Sequence, residues 1–546
     1  MVYHSKNKIL YDDFREELHK SYPDKSMNDR FFFENHIQKY ATKLDKIINN
    51  ILSKIDMDNI LFWGFSIKMD AWIAAAIIAK KIKKLKPDVP IIIGGINTKK
   101  TAEAFLNNFS QFDMAVWGEG EETIIQIAEF LKNQDSGFSN IVNLAYRNKD
   151  KVHCSNKVKR NYANLSLPDI YPDYADFFSQ QKALKLNTGN IIPVEGGRGC
   201  HWNKCKFCYL NEDYRYRLKT VKKICLEIRF MIKKYKVYDF EFLDNDFLGL
   251  DAQSSNELLD GLLNIKNDFP KFRIVTVEVI TKGLTCGIIK KMFDAGVIYA
   301  QIGYESTSDK LLNKIRKKNS FASNLFYVKT SMRYKVPLNS VNVLLNMPDE
   351  TEKDIDEAIN NLTFLRFFLH PYHFRHRLFP VMVNSSSKYY KKIQQEKDLW
   401  IVSNISYNFL KNFIKEEYYW DILTFSKQEV HEKWNDFKQR EKYYLDNRHT
   451  YSVKNEKDNF VYLEYCNGKK ICELNAKHNS LDFQILHHTN NQVVSLDELK
   501  IILNINPLSE SFTEEEIIVS IDLLYQKYLI YHSPDYTEIV SVINML

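Results

Sequence analysis

The sequence predicts an α/β protein with three structured regions: an open parallel sheet near the N-terminus, a full or partial α/β barrel in the centre, and a mostly helical C-terminal region. Two observations predict this class. Short apolar strands alternate with helix-length segments in two separate series between residues 58 and 399, and the alternation ends after residue 399. Parallel strands joined by helical crossovers are the arrangement that such alternation produces.

Composition and charge agree with a large globular protein. The 546 residues are 45% hydrophobic and 14% aromatic, which is ample for more than one packed core. With only 17 Gly, 13 Pro and 8 Cys, the chain is not low-complexity, collagen-like or a disulfide scaffold. A net charge of +7 is mild for this length and predicts no nucleic-acid partner.

No apolar segment approaches the roughly 20 residues that span a bilayer. The first ten residues also lack the apolar core of a signal peptide. We therefore expect a cytoplasmic protein with no membrane partner.

The first series makes up an N-terminal domain, predicted to span residues 1–160. Strands are predicted at 59–64, 89–93, 113–117 and 141–146, and helices at 69–84, 99–108 and 121–132. Open, Rossmann-like sheets bind ligands at the carboxyl ends of their strands. Two of these ends carry glycines, Gly94-Gly95 and Gly118 with Gly120, which allow a ligand to approach the backbone and equally make ordinary tight turns.

Residues 161–190 are predicted to be a linker, because Pro168 and Pro172 stand among acidic and aromatic residues. A central domain at 191–395 follows. Its strands are predicted at 191–194, 239–243, 273–279, 299–304, 340–345 and 373–379, with helices between them. Six such strands fit a full or partial TIM-like α/β barrel better than a second open sheet.

Residues 396–546 are predicted to form a C-terminal domain that docks a substrate or partner. Helices are predicted over most of 400–447 and at 481–488, 496–503 and 514–528, with a short β segment at 460–464 and a hairpin at 529–540. The last helices and the hairpin resemble a small winged-helix-like module. A DNA-binding module needs a basic recognition helix, whereas residues 514–528 begin with three Glu and contain one Lys.

A cluster of three cysteines carries the chemistry. Cys200, Cys205 and Cys208 form a Cys-x4-Cys-x2-Cys motif on a Gly-rich loop after the first strand of the central domain. Three thiolates can bind three irons of a [4Fe-4S] cluster and leave the fourth iron open to another ligand. Zinc, with His201 as a fourth ligand, and unligated thiols are the alternatives.

The motif and the segments after it resemble the radical S-adenosylmethionine superfamily over residues 191–390. The further segments that carry the resemblance are Phe207, 241–246, 301–306, 311–317 and 342–351. The family's usual motif is Cys-x3-Cys-x2-Cys, so the first gap here has one extra residue, as in several peptide-modifying members. Asn346 and Asp349 replace two of the family's usual glycines.

The resemblance implies a [4Fe-4S] cluster on the three cysteines and S-adenosylmethionine on the open iron. It implies that Phe207 contacts the adenine, that Asp244 and Glu305 contact the ribose, and that Ser306 and Lys317 contact the amino-acid end. The alternative is that these four polar residues are ordinary loop residues: Asp244, Glu305, Ser306 and Lys317. Lys317 also lies in the basic run at 314–318. An electron donor such as flavodoxin or ferredoxin is implied as a partner.

The N-terminal sheet resembles the cobalamin-binding domain that precedes the radical core in one subclass. The residues implied to bind cobalamin are Ser66, Gly94, Gly95, Gly118, Glu119, Gly120, Glu121 and Thr123. The Asp-x-His-x-x-Gly motif of many such domains is absent, and no His occurs between His36 and His153. If cobalamin binds, its cobalt would therefore have no His ligand from this domain. The alternative is that the domain has lost cobalamin binding.

Residues 195–217 and the long C-terminal extension resemble radical enzymes that mature ribosomal peptides, many of which are C-methyltransferases. This resemblance implies methylation of an unactivated carbon, in a ribosomal peptide or a related natural product, through a 5'-deoxyadenosyl radical. The first alternative is a non-methylating radical enzyme that performs a cyclisation, rearrangement or oxidation, with or without cobalamin. An iron-sulfur or zinc sensor is the second.

A further candidate set lies on the last strand of the central domain. Residues two apart on a strand share a face, so His373, Arg375 and Arg377 are predicted to point the same way. We expect them to bind a substrate carboxylate at the barrel mouth. The alternative is that they are ordinary strand residues.

Overall fold

The chain forms two compact units, each made of two stretches of sequence. The first unit contains residues 1–164 and 382–426, and the second contains residues 165–381 and 427–546. The predicted domain at 396–546 is thus divided, since most of it belongs to the same unit as the central domain. The computed structural model describes residues 30–67, 71–133, 137–158, 162–167, 170–186, 189–208, 215–249, 252–334, 336, 338–384, 387–396, 399–402, 424–427, 429–505 and 512–545.

The first unit begins with a five-stranded sheet and its helices. These elements are Arg30–Leu52 (α1), Trp63–Ser66 (β1), Ala71–Leu85 (α2), Ile91–Ile96 (β2), Lys99–Asn108 (α3), Met114–Trp117 (β3), Glu121–Asn133 (α4), Leu144–Asn148 (β4) and Lys151–Cys154 (β5). Strand order is β1-β2-β3-β4-β5. The first two residues of the helix predicted at 69–84 lie outside the described residues.

The sheet is parallel only over its first three strands. β1, β2 and β3 pair in parallel, whereas β4 is antiparallel to β3 and β5 is antiparallel to β4. The prediction of a wholly parallel sheet is therefore wrong for its last strand, and β5 was not predicted. A 3₁₀ turn at Phe138–Asn140 lies in the long connection after α4. Such a connection lets the chain return to the opposite end of the sheet before β4 begins.

The second unit contains the central strands and helices. They are Ala175–Ala183 (α5), Ile191–Val194 (β6), Gly197–Arg198 (β7), Arg217–Leu218 (β8), Val221–Tyr235 (α6), Asp239–Phe242 (β9), Ala252–Asp268 (α7), Arg273–Val279 (β10), Cys286–Asp294 (α8), Ala300–Ile302 (β11), Asp309–Lys314 (α9), Phe321–Arg333 (α10), Asn339–Leu345 (β12), Glu352–Asn361 (α11) and Phe374–Pro380 (β13). α5 lies inside the predicted linker.

Two parallel sheets carry the core of this unit. Four strands form a sheet in the order β11-β10-β9-β6, and β12 pairs with β13. A parallel bridge between Glu305 and Val343 connects β12 to the segment that follows β11. Helix N-termini are set by local capping, as where Ser320 and Ser323 form a capping box at the start of α10. The result is a series of six parallel strands whose carboxyl ends lie on one side.

The chain then returns to the first unit before completing the second. The elements of this part are Val383–Asn384 (β14), Tyr390–Gln395 (α12), Trp400–Val402 (β15), Thr424–Lys427 (β16), Trp434–Asp446 (α13), His449–Glu456 (β17), Asn459–Cys466 (β18), Lys469–Lys477 (β19), Leu481–His488 (α14), Leu496–Ile505 (α15), Glu514–Gln526 (α16), Ile530–His532 (β20) and Ile539–Ser541 (β21). Within the predicted helical stretch 400–447, residues 403–423 lie outside the described residues, and β15 and β16 replace helix.

The C-terminal region is not mostly helical in its described part. β17, β18 and β19 form an antiparallel sheet, joined by two-residue loops at 457–458 and 467–468. Asn467 and Gly468 have φ values of 49° and 80°, the left-handed conformation that a tight hairpin turn needs. The Asn467-Gly468 pair was the sequence signal that could have predicted the hairpin of β18 and β19. The predicted hairpin at 529–540 is present as β20 and β21.

The C-terminal region packs on the central helices through buried polar contacts. The Lys329 ammonium on α10 donates to the carbonyls of Asn490 and Ser541 at 2.8 and 2.7 Å. The Tyr531 hydroxyl donates to the Asp309 carboxylate at 2.6 Å. These contacts explain why residues 427–546 do not form a separate unit. Within the described ranges, no helix is both long and apolar enough to cross a membrane.

We expect Lys329 to impose a pH dependence on stability. Burial lowers the pKa of its ammonium to about 7 from 10.5, and nearby Cys286 only partly opposes the shift. Between these two pH values the unfolded chain binds more protons than the folded protein, so the free energy of unfolding rises with pH. Lys329→Met should flatten this rise, measured by urea unfolding from pH 7 to about pH 9. The exposed Lys290→Met is the control, and a wild-type profile in Lys329→Met would contradict the prediction.

Candidate functional site

A short loop after β6 holds the three cysteines. β7 and β8 pair in antiparallel fashion and close the base of this loop. A Cβ atom on Gly197 would lie 2.8 Å from the Arg217 carbonyl oxygen, so only glycine allows this approach. Gly199 has a φ of 80°, in the left-handed region that favours glycine. The glycines before Cys200 therefore make the tight entry to the loop.

One cavity of about 230 Å³ contains all three cysteines, Cys200, Cys205 and Cys208. It also contains Val279 and Ile302, the last residues of β10 and β11, so it lies at the carboxyl ends of the parallel strands. The other lining residues are Trp202, Asn203, Phe207, Asn245, Glu278, Ile280, Gln301, Gly303, Glu305, Lys317, Lys318 and Asn342.

The donor set fits a cluster with several iron atoms. Among the described residues, no three Cys, His, Asp or Glu side chains are grouped so as to hold one metal ion. The three thiols that line this cavity can bind three irons of a [4Fe-4S] cluster, because each thiolate binds a different iron. Burial raises the pKa of the Cys205 thiol to about 11, although Lys317 opposes the shift. Iron binding must therefore displace a proton from Cys205.

Lys317 and Glu305 form an ion pair inside the cavity. The Lys317 Nζ lies 2.9 Å from a Glu305 carboxylate oxygen and 5.7 Å from the centre of the Phe207 ring. Burial lowers the pKa of Lys317, but Glu305 and Cys205 outweigh it, so the pKa is raised overall. Glu305 has a φ of 57°, and its carbonyl accepts the Leu344 amide at 2.8 Å. The cavity thus keeps a charged ammonium beside the cysteines.

Asp244 and Ser306 have other partners. The Asp244 carboxylate is buried and accepts the Gly196 amide at 2.9 Å, so it holds the Gly-rich loop. Burial raises the pKa of Asp244 to about 7, and the Gly196 amide opposes the shift. The Ser306 hydroxyl accepts the Ser308 amide at 3.0 Å. Neither side chain is among those that line the cavity, although the next residue after Asp244, Asn245, does so.

Several cavity residues were not predicted from the sequence as site residues, among them Glu278, Gln301 and Asn342. Their strands place them there, since Glu278 on β10 is directly paired with Gln301 on β11. The walls of the cavity partly shield Glu278 from water and raise its pKa, while Lys317 opposes the shift. A charged residue inside an otherwise apolar strand was the signal that could have identified Glu278.

The cysteine loop is anchored to the segment after α9. Trp202 donates its indole N–H to the Arg316 carbonyl at 2.7 Å, and the Lys206 amide donates to the Ile315 carbonyl at 3.0 Å. His201 contacts both Asp246 and Lys318 through its ring nitrogens. These contacts tie the loop to the same segment that supplies Lys317.

Of the three residues predicted to share one face of β13, only Arg375 and Arg377 lie on the strand. Arg375 and Arg377 are exposed on one face of the strand, and Phe374 and His376 are buried on the other. His373 lies before the strand, where its ring stacks on His370 with centroids 4.4 Å apart. The alternation predicted for the two arginines is therefore present.

A second cavity, of about 240 Å³, lies in the first unit. Its lining is Gly64, Phe65, Ser66, Ile92, Ile93, Gly94, Gly95, Val116, Gly118, Gly120 and Ile124. These residues are at the carboxyl ends of β1, β2 and β3. A bulge in the pairing of β2 with β3 falls at Gly94 and Gly95.

Five of the eight predicted cobalamin residues line this cavity, namely Ser66, Gly94, Gly95, Gly118 and Gly120. The other three are not among its lining residues. The Glu119 carboxylate accepts the Ala163 amide at 2.8 Å, and the Thr123 hydroxyl donates to the Val142 carbonyl at 3.0 Å. Glu121 is the first residue of α4.

Comparisons with known proteins give consistent results. Residues 194–362 match the family model of the Radical SAM superfamily. The chain is 24% identical over 319 residues to an uncharacterized methyltransferase of Pyrococcus horikoshii, covering 57% of this chain and 65% of that protein. It is 22% identical over 283 residues to the anaerobic magnesium-protoporphyrin IX monomethyl ester cyclase of Rubrivivax gelatinosus, covering 50% and 49%. The chain thus spans less than two thirds of either curated relative.

Two solved structures share the fold at low sequence identity. The radical S-adenosylmethionine methyltransferase TsrM of Kitasatospora setae matches with a TM-score of 0.54 and 12% identity, covering 74% of this chain and 82% of that one. The cobalamin-dependent S-adenosylmethionine radical enzyme OxsB matches with a TM-score of 0.55 and 14% identity, covering 72% and 59%.

The family match covers the strands and the loop that bring the three cysteines into one cavity. A [4Fe-4S] cluster and S-adenosylmethionine are the cofactors of this domain. Residues 194–362 therefore make up a radical S-adenosylmethionine domain.

Proposed function

We propose that this protein is a cobalamin-dependent radical S-adenosylmethionine methyltransferase that methylates an unactivated carbon. The cavity with Cys200, Cys205 and Cys208 at the carboxyl ends of parallel strands carries the radical part of the proposal. The methyltransferase part is supported by the Pyrococcus relative and by the fold shared with TsrM, and the cobalamin part by the fold shared with OxsB. The six parallel strands fit a partial barrel, with this cavity at its mouth.

The glycine-lined cavity of the first unit is our candidate for the cobalamin site. TsrM has been solved with cobalamin and a [4Fe-4S] cluster, and OxsB with aqua-cobalamin and S-adenosylmethionine. Gly94, Gly118 and Gly120 leave their cavity wall without side chains, so a large planar ligand can approach the backbone. Among the described residues that line this cavity, none is a histidine.

The chain's own groups would hold S-adenosylmethionine and shield it. The cluster supplies the electron that cleaves S-adenosylmethionine to a 5'-deoxyadenosyl radical, and cobalamin supplies a methyl carrier. Lys317 would bind the ligand's carboxylate, and Phe207 would contact the adenine. Glu305 keeps Lys317 oriented and offers an acceptor to a ribose hydroxyl. Asp244 positions the Gly-rich loop through Gly196.

We further propose a ribosomal peptide or related natural product as substrate, with flavodoxin or ferredoxin as electron donor. The C-terminal region, residues 396–546, would dock the peptide. The cyclase relative favours a second candidate, a radical enzyme that rearranges or cyclises its substrate without methylation. The two candidates differ in their products, because only the methyltransferase adds a carbon.

Anaerobic reconstitution with iron, sulfide and cobalamin tests the proposal. We expect about four irons per chain, bound corrin, and formation of 5'-deoxyadenosine from S-adenosylmethionine and a reductant. S-Adenosylmethionine with a deuterated methyl group should then label the product. A cluster with 5'-deoxyadenosine but no bound corrin would favour the non-methylating enzyme, and zinc without cleavage would reject both.

A substitution in the glycine-lined cavity tests the cobalamin site. A Cβ atom on Gly94 would meet no heavy atom within 4 Å, so Gly94→Val leaves the fold intact and fills the cavity. We expect corrin binding to weaken at least about tenfold, which corresponds to about 1.4 kcal/mol, with unchanged iron content. Gly137→Ala, in the same unit and outside the cavity, is the control. Equal corrin content in both variants would place cobalamin elsewhere.

A further inference from the structure

The inference concerns the exposed face of β13 and rests on the proposed function. One face of this strand is sealed by protein. His376 is buried there, with its ring nitrogens at 2.7 Å from the Glu441 carboxylate and 3.2 Å from the Tyr304 hydroxyl. Phe437 of α13 packs against the same ring, with centroids 5.5 Å apart. Side chains that alternate with His376 therefore point away from α13.

The opposite face lies beside the cysteine cavity. Arg377 is directly paired with Asn342 of β12 in a parallel register. Directly paired residues in a sheet lie about 4.8 Å apart and share a face. Asn342 lines the cavity, so Arg377 lies next to one of its lining residues, although Arg377 is not itself among them. Arg375 stands on the same face about 6.6 Å nearer the amino end of the strand.

The two guanidinium groups are available to a ligand. Both side chains are exposed, and in the described part of the chain neither guanidinium makes a hydrogen bond or an ion pair. The two lysines that line the cavity do have partners, Lys317 with Glu305 and Lys318 with His201. Two titratable groups sense the arginines at longer range. Burial raises the pKa of Glu441, but His376 and Arg375 outweigh burial and lower it, and burial raises the pKa of Tyr299 while Arg377 opposes the shift.

Acidic groups also line the cavity. Glu278 lines it on β10, and Glu305 lines it where it pairs with Lys317. A substrate that reaches both the cavity and the neighbouring face of β13 would thus meet carboxylates and unpaired guanidinium groups. An arginine fork matches the geometry of a carboxylate or a phosphate and binds either through two parallel hydrogen bonds.

We propose that Arg375 and Arg377 bind an anionic group of the substrate, a carboxylate or a phosphate, and so orient the substrate toward the cysteine end of the cavity. Arg377 is the principal contact, because it is paired with a cavity residue. Arg375, two residues before Arg377 on β13, supplies a second guanidinium group. The substrate class is therefore an acidic molecule or an acidic segment of a peptide.

Isothermal titration of the reconstituted holoenzyme with glutarate, inorganic phosphate and 1,5-diaminopentane tests this site. We expect one of the two anions to bind and the diamine not to bind. Tighter glutarate binding would identify a carboxylate, and tighter phosphate binding would identify a phosphate. Arg377→Gln should weaken anion binding at least tenfold. The matched control is Arg440→Gln, an exposed arginine on α13, which should bind like wild type.

Arg377→Lys separates charge from geometry and serves if Arg377→Gln fails to fold. It should bind the anion more weakly than wild type, since lysine lacks the planar fork. No anion binding by wild type, or wild-type affinity in both Arg377 variants, would overturn the proposal. The assay of 5'-deoxyadenosine on wild-type enzyme tests the proposed function separately, since it needs no anion site.

Discussion

Replacing Cys205 by serine should abolish cluster assembly and cleavage of S-adenosylmethionine. Cys205 shares the cavity with Cys200 and Cys208, and each is expected to bind one iron of the cube. Loss of an outer partner of a metal ligand typically costs 10–100-fold, so loss of the ligand itself should exceed about 100-fold. We expect 5'-deoxyadenosine at background and well under half of the wild-type iron.

The control for this variant is Cys466→Ser. Cys466 is a half-buried free cysteine at the end of β18, in the same unit and outside the cavity. It should keep wild-type iron, sulfide and 5'-deoxyadenosine. A Cys205→Ser protein that retained its iron and its cleavage activity would show that the three cysteines are not the cluster site. Far-ultraviolet circular dichroism of the apo forms verifies that both variants fold.

Breaking the ion pair between Arg366 and Glu464 should be the largest single loss of stability. The guanidinium donates to both carboxylate oxygens at 2.7 and 2.8 Å, and the two side chains are only 3% and 5% exposed. Tyr462 also donates to Glu464 at 2.7 Å. Arg366→Met leaves a buried carboxylate without its counter-charge, which typically costs about 3–5 kcal/mol.

Urea unfolding of three variants distinguishes the pair from its surroundings. Arg366→Met alone should lose about 3–5 kcal/mol, whereas the double variant Arg366→Met, Glu464→Leu should regain much of it, because no charge then remains buried. The exposed pair Lys290–Asp294 is the control, and Lys290→Met should cost less than about 1 kcal/mol. A double variant as unstable as Arg366→Met would mean that packing, and not charge, controls this site.

Local sequence signals predicted the elements that carry the site. Helix α3 has the predicted bounds, because Thr98 caps its first turn. The cysteine spacing and the glycines before Cys200 depend on neighbours in the chain, so they could be read directly. The cavity residues Glu278, Gln301 and Asn342 could not, since they come together only through the pairing of distant strands.

The wrong predictions have a common physical cause. The strand β17 is polar, and β19 alternates only over Cys472, Leu474 and Ala476, so the Asn-Gly turn was the clearer signal of their sheet. The reversal of β4 depends on the path of the chain after α4, which no local pattern encodes. Periodicity reports which face of an element is buried, and it does not report the partner or the direction of pairing.

The sequence by itself predicted the chemistry at the cysteine loop and the resemblance of the central region to a radical S-adenosylmethionine domain. Both depend on short spacings and on an ordered set of strand ends. Only the tertiary structure decided that Asp244 holds the loop through Gly196, that Lys317 pairs with Glu305, and that Arg377 lies beside Asn342. The reason is that contacts between residues far apart in the chain are set by strand register and helix packing, which local propensity leaves open.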